Sequence, residues 1–256
     1  MPATANALRE VRATRYVTPL REGGSLPGLV EADDDGLYVA KFRGAGQGPR
    51  ALVAEVIVGE LGRALGLLVP ELVAVELDAR LGAAEPDPEI QELVEASGGL
   101  NLGVDFLPGA LPYTPAGAWQ PDSELAADVV WLDALTTNVD RTPRNPNLLL
   151  WHERLWLIDH GAALYRQHRG LDPATDATRP FPQIADHVLL PRAESIADAD
   201  RRLRPRLDQG TLEWAVALVP DEWLAGGDRA ATYVDYLQRR LADGGFAAEA
   251  ERARVA

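Results

Sequence analysis

The sequence predicts an α+β chain in which a small lobe of strands and one helix joins a larger, mostly helical lobe. Three observations carry this prediction. Residues 1 to about 48 are β-prone runs separated by turn residues. A helically spaced apolar segment at 50–66 follows, and then further strand-like runs. From residue 122 helical patterning dominates, interrupted by one hairpin-like segment at 147–159. The joint falls near 103–110, which divides the chain into units 1–105 and 106–256.

In chain order, GGSLPG at 23–28 is a turn cluster punctuated by Gly23, Gly24, Pro27 and Gly28. GLVEADD and DGLYVAKF flank Asp35-Gly36, a strong hairpin signal between β-prone runs. On the second strand Leu37, Val39 and Lys41 share one face, and Tyr38, Ala40 and Phe42 the other. GAGQGPR is a loop whose Pro49 suits the first position of a helix. That helix has apolar residues at 52, 53, 56, 57, 61, 64 and 65 and ends at Gly66. LLVPELVAVELD reads as one or two strands, and the acidic stretch 82–98 as a solvated loop or short helix. SGGLNLGVDFLPGAL is a strand and a turn. Asp122 or Ser123 caps a helix running to about Thr137. Residues 147–159 form a hairpin, and helical segments broken by prolines follow Asp172.

Composition narrows the function. The 256 residues carry 39 acidic and 25 basic side chains, a net charge of −14, which disfavours a nucleic-acid partner held by bulk charge. With no cysteine, disulfides, thiolate metal sites and a Cys nucleophile are excluded. No apolar run reaches the roughly 18 residues of a membrane span, so no membrane partner is expected. The N-terminal segment has no apolar stretch of the secretory type, and a cytoplasmic location is expected. Of the 25 basic residues only Lys41 is lysine. A compact ammonium and a planar guanidinium do different work, which marks Lys41 for a role arginine cannot fill.

The densest chemistry lies in Asn138-Val-Asp140-Arg-Thr-Pro-Arg-Asn145 and Ile158-Asp159-His160-Gly161. These loops flank the predicted hairpin, and strand pairing can bring them to one end. Two carboxylates and an amide then converge. Oxygen donors without sulfur or clustered imidazole suit a hard cation such as Mg²⁺, which needs only one or two protein carboxylates. The other aspartate is left as a base. Arg141 and Arg144 are expected to add positive charge at the mouth of this cleft. The histidines show no metal-ligand pattern, and His187 reads as structural. The six tryptophans read as core or rim.

The spacing Asp140-x-x-x-x-Asn145 is that of the kinase catalytic loop. Asp159-His-Gly stands where those enzymes carry Asp-Phe-Gly, and Lys41 ends a Val-Ala-Lys strand. A Gly-rich turn precedes that strand and a helix bearing Glu55 follows it, with Glu60 as a competing acid. Gly59 and Gly62 mark one side of the helix for close packing. Through GGSLPG, DGLYVAKF, ALVAEVIVGELGRALGLLVPE, FLPGA, NVDRTPRNPNLLL and LWLIDHGAAL, the chain resembles the HipA-like kinase domain over roughly residues 20–190. That family belongs to the protein-kinase-like superfamily, and the D-R-x-x-x-N form is also similar to phosphatidylinositol kinases.

The resemblance implies a two-lobed protein-kinase-like fold, with a β-rich N-lobe holding one key helix and a mostly helical C-lobe. ATP and Mg²⁺ would lie between them. It implies that Lys41 holds phosphates, Glu55 orients Lys41, Asp140 handles the proton of the attacking hydroxyl, and Asn145 and Asp159 bind Mg²⁺. Gly23, Gly24, Ser25, Phe106 and Leu107 would also face the nucleotide. Ser25 is in addition a candidate phosphate acceptor. The expected activity is transfer of the γ-phosphate to a hydroxyl on a protein, on the chain itself or on another acceptor. A small-molecule phosphotransferase of the aminoglycoside or choline type and a nucleotide-binding pseudokinase are the alternatives. Asn138 departs from the histidine usual two residues before the catalytic aspartate in those phosphotransferases.

Overall fold

The computed structural model describes residues 7–20, 26–46, 48–224 and 229–256. Strands β1 (Arg9–Pro19), β2 (Gly28–Ala32) and β3 (Leu37–Lys41) are followed by helix α1 (Pro49–Ala64). Next come β4 (Leu72–Leu77), α2 (Pro88–Ala96) and β5 (Gly99–Asp105). These five strands close into a barrel in the order β1-β2-β3-β5-β4. All neighbours are antiparallel except β1 and β4, which run parallel and close the ring. Asp35 takes the left-handed conformation (φ 62°) that the β2–β3 turn demands.

Barrel closure follows from side-chain alternation. Val11, Ala13, Val30, Ala32, Tyr38, Ala40, Val73 and Val75 point inward and form one apolar core. The acidic stretch before β5 is helical rather than a loop: Asp87 caps α2, and Ile90 and Val94 plug the barrel core. Because the even positions of β3 fill the barrel, Lys41 projects from the other face toward α1, as the alternation predicts.

Helix α1 is buried on all sides from Leu52 to Gly62. Its two interior glycines allow close approach. A Cβ on Gly59 would lie 2.9 Å from Leu72 Cδ1, and one on Gly62 3.2 Å from Val69 Cγ2.

The second half begins with the two-residue strand β6 (Leu111–Pro112) and helix α3 (Ser123–Thr136), capped by Asp122, whose carboxylate accepts Leu125 N–H at 2.8 Å. The hairpin β7 (Leu148–Trp151) and β8 (Arg154–Leu157) pairs with β6 in a small sheet. Helices α4 (Pro173–Asp176), α5 (Ile196–Leu203), α6 (Gln209–Ala217), α7 (Ala230–Asp243) and α8 (Gly245–Val255) follow. The completely buried α3 residues Val129, Val130, Trp131 and Leu132 sit in a second core shared with α1 and the later helices. Among the described residues no helix is long and apolar enough to cross a membrane.

Candidate active site

Lys41 stands between two acids. Its ammonium donates to Glu55 Oε1 and to Asp159 Oδ1, the latter at 2.8 Å. Glu55 is almost wholly buried on α1. It also accepts the backbone N–H groups of His160, on Oε2 at 2.8 Å, and Gly161, on Oε1 at 3.0 Å. One carboxylate therefore ties the β3 lysine to the loop after β8. Of the two candidate acids on α1, Glu55 is the one that meets Lys41; Glu60 lies 3.5 Å from Arg63 instead. A Cβ at Gly161 would lie 3.2 Å from Glu55 Oε1, tighter than an ordinary contact, so a side chain there would press on the carboxylate that holds Lys41.

The electrostatics follow the geometry. Burial alone would lower the Lys41 ammonium, but Glu55 and Asp159 more than offset this and hold it above its ordinary value. Lys41 draws the Asp159 carboxyl down to about 2 against the opposing effect of burial. Asp159 remains 41 % exposed while Glu55 is 3 % exposed. Asp159 is thus the acid of the pair that can still reach a ligand. Its backbone is left-handed (φ 56°), an uncommon conformation for a side-chain-bearing residue and one that often marks functional turns.

The second cluster grows from the end of α3. Thr137 turns the chain through the left-handed region (φ 53°), and Asn138 Oδ1 accepts the Asp140 N–H at 3.1 Å. Thr142 and Asn145 exchange backbone hydrogen bonds at 3.1 Å each, so 142–145 folds back and returns Asn145 to Asp140. Asp140 Oδ2 accepts Asn145 Nδ2 at 2.8 Å and Asn147 Nδ2 at 3.2 Å. The second amide, Asn147, lies outside the Asp-x-x-x-x-Asn spacing. Its left-handed backbone (φ 49°) turns it back onto Asp140.

Arg141 corrects an expectation. It does not line a cleft mouth; it is 1 % exposed and lies beneath both loops. Its guanidinium donates through Nε to Asp133 Oδ2 at 2.5 Å, to the carbonyls of Asn147 and Ile158, and through Nη2 to His160 Nδ1 at 3.1 Å. Asp133 on α3 and His160 are site components that sequence reasoning missed. Asp133 was hidden inside an apolar helix, and His160 looked like a substitute for an apolar residue. Arg144 is exposed.

The remaining predicted residues divide. Gly23, Gly24 and Ser25 lie outside the described residues. Phe106 follows β5, its N–H bonded to Leu37 O at 3.0 Å. Leu107 is buried and lines a cavity with Leu68, Trp151 and Trp156. A separate pocket beside Lys41 is lined by Phe42, Ala45, Gly48, Leu52, Glu55 and Asp159. Among the described residues no three His, Cys, Asp or Glu side chains gather as a metal site. The available donors are the exposed Asp159 carboxylate and the amide and carboxylate oxygens around Asp140. That set suits Mg²⁺, which uses one or two carboxylates and completes its shell with phosphates and water.

A β-barrel bearing a lysine–glutamate pair, followed by an Asp-x-x-x-x-Asn loop and an Asp-x-Gly loop, defines a kinase-type site. Residues 14–243 match the family model described as HipA-like kinase, and the chain belongs to that family; it is a kinase. No curated protein matches the sequence. Among solved structures it shares the fold of the proinflammatory kinase CtkA of Helicobacter pylori, with a TM-score of 0.55 and 14% sequence identity, covering 90% of this chain and 94% of that one. The Golgi casein kinase also aligns, at a TM-score of 0.49 and 14% identity, covering 97% of this chain and 72% of that one. One structure of that kinase has Mn and ADP bound.

Proposed function

We propose that this kinase transfers the γ-phosphate of ATP, with Mg²⁺, to an alcohol hydroxyl, with a protein Ser or Thr as the acceptor. The observation that carries the reading is the simultaneous bonding of Lys41 to Glu55 and Asp159. Phosphoryl transfer depends on positioning and charge neutralisation more than on covalent help. A fixed ammonium beside an acid that faces solvent provides both.

In this account the barrel unit (1–105) and the helical unit (106–256) are the two lobes, and the nucleotide lies between them. Lys41 holds the α- and β-phosphates, kept in place by Glu55. Asn145 and Asp159 hold Mg²⁺, which when bound neutralises charge on the phosphates. Asp140 orients the acceptor hydroxyl and takes its proton. The hydrogen bonds from Asn145 and Asn147 fix one Asp140 oxygen. Its other oxygen has no hydrogen bond among the described residues and can face the acceptor.

The test is incubation with γ-labelled ATP and Mg²⁺, scored for label on the chain itself and on proteins of a lysate. Label that requires Mg²⁺ and disappears in Asp140→Asn supports the reading. ATP that stays intact with every acceptor offered, while the protein remains folded, defeats it.

A further inference from the structure

Asp133 lies near the end of α3 with no solvent exposure. A buried carboxylate is costly unless its lone pairs are engaged. Here Oδ1 accepts Asn138 Nδ2 at 3.1 Å. Oδ2 accepts Arg141 Nε at 2.5 Å and His187 Nε2 at 2.9 Å. Burial alone would raise the Asp133 carboxyl, but Arg141 and His187 hold it well below the ordinary carboxylate range.

The far side of the same guanidinium serves the other loop. Nη1 donates to the carbonyls of Asn147 and of Ile158, the latter at 3.3 Å. Nη2 donates to His160 Nδ1 at 3.1 Å. Ile158 and His160 are the residues on either side of Asp159, and Arg141 directly follows Asp140. One planar fork thus spans both acid-bearing loops. A lysine could not bridge them, because a single ammonium lacks the fork's fixed, divergent donors. An ion pair this deep is a weak source of net stability. Its effect is directional: the carboxylate sets the guanidinium plane, and the plane sets two carbonyls and one imidazole.

We propose that Asp133 is a positioning residue for phosphoryl transfer, orienting the Arg141 fork that fixes Asp140 and Asp159 relative to each other. This rests on the kinase reading above. Asp133 itself touches no substrate. A misplacement of about 1 Å can cost about 100-fold in rate, and loss of an outer-shell partner typically weakens metal binding by about 10–100-fold.

The geometry fixes a tautomer that can be read directly. His160 Nδ1 accepts from Arg141, so the imidazole proton sits on Nε2. His187 Nδ1 accepts Leu189 N–H at 3.1 Å, so its proton also sits on Nε2, directed at Asp133.

The test uses the full chain with ¹⁵N-labelled histidine, together with Asp133→Asn, Arg141→Lys and the double variant. In wild type, two buried imidazoles should give the Nε2–H pattern. In folded Asp133→Asn, the His160 signal should move toward a tautomer mixture, and kcat should fall about 100-fold. Calorimetric affinity for Mn²⁺–ADP should weaken about tenfold, with metal-free ADP affinity within about twofold of wild type. The double variant should be no worse than Arg141→Lys alone, since both act through one fork. A purely structural role would lower the melting temperature and leave these properties of the folded fraction unchanged. The proposal is overturned by Asp133→Asn with wild-type kcat, metal affinity and His160 signal, or by losses that multiply in the double variant. Should Asp133→Asn fail to fold, Arg141→Lys and the wild-type spectrum still decide, because a wild-type His160 carrying its proton on Nδ1 contradicts the fork. A wild type that keeps the tautomer but binds no metal–nucleotide defeats the kinase reading instead.

Discussion

Lys41 Nζ and Asp159 Oδ1 lie 2.8 Å apart although 118 residues separate them in the chain. The barrel supplies one and the loop after β8 the other. Glu55 completes the arrangement by bonding Lys41 with its carboxylate and the Asp159 loop through two backbone N–H groups. The buried acid holds the lysine, and the more exposed acid remains available to a ligand.

Removing the ammonium should therefore affect both chemistry and stability. Lys41→Met is expected to abolish ATP turnover. It also leaves the buried Glu55 carboxylate without its cation, although two N–H donors remain. Unfolding by urea should show a loss of about 1–3 kcal/mol. Turnover within a few-fold of wild type would remove Lys41 from the mechanism.

The two acids of α1 should separate cleanly. Glu55→Gln loses the ion pair with Lys41 and places an amide nitrogen near backbone donors, so turnover should fall by at least about tenfold. Glu60→Gln alters only a 3.5 Å contact with the partly exposed Arg63, and both turnover and stability should change little, within about 0.5 kcal/mol. Equal losses in steady-state assays of the two variants would contradict the assignment of Glu55.

Asp140 should be separable from binding. Asp140→Asn is expected to retain Mg–ATP affinity yet transfer no label. Asn147→Ala removes the second amide on Asp140 Oδ2, and kcat should fall about tenfold with little change in KM for ATP. Robust transfer by Asp140→Asn in the labelled-ATP assay would dismiss its role as the base.

Much of this fold was legible because local signals agreed with the tertiary structure. Asp35-Gly36 fixed the β2–β3 hairpin, alternation fixed the faces of β3, and the α1 glycines pointed to the close-packed side. The Asp-x-x-x-x-Asn spacing pointed to Asp140 and Asn145, whose side chains meet at 2.8 Å. What was not legible depended on depth. Arg141 looked like a surface cation because charged residues in loops usually are, yet its partner Asp133 lies inside an apolar helix and gives no signal until the helix is packed. Parallel closure of β1 onto β4 was equally silent, since strand pairing across more than fifty residues leaves no local pattern. For 82–98 the sequence left a loop and a short helix open, because the acidic outer face of α2 leaves only Ile90 and Val94 to mark its buried side; the helix is the one that forms.

Stability should fall in acid through the buried imidazoles. Burial, followed by the Arg141 charge, lowers His160 to about 3, and burial also lowers His187. The unfolded chain protonates both near pH 6.5, whereas the folded chain keeps them neutral. The unfolded state therefore binds more protons below pH 6.5. For His160 this contribution is complete above that value and is lost as pH falls toward about 3, by roughly 1 kcal/mol per pH unit, and His187 acts in the same direction. Urea unfolding between pH 7 and 4.5 measures the slope, and His160→Asn should reduce it. Equal stability at pH 7 and 5 would show that these imidazoles are not held neutral.

The most direct measurement is calorimetric titration of the wild type, Lys41→Met and Asp159→Asn with ATP, each with and without Mg²⁺. The account predicts Mg²⁺-dependent binding by wild type, a sharp loss in Lys41→Met, and an Asp159→Asn protein whose affinity no longer responds to Mg²⁺. Wild-type affinity that is indifferent to Mg²⁺, or that is unchanged in both variants, would contradict a metal–triphosphate held between Lys41 and Asp159.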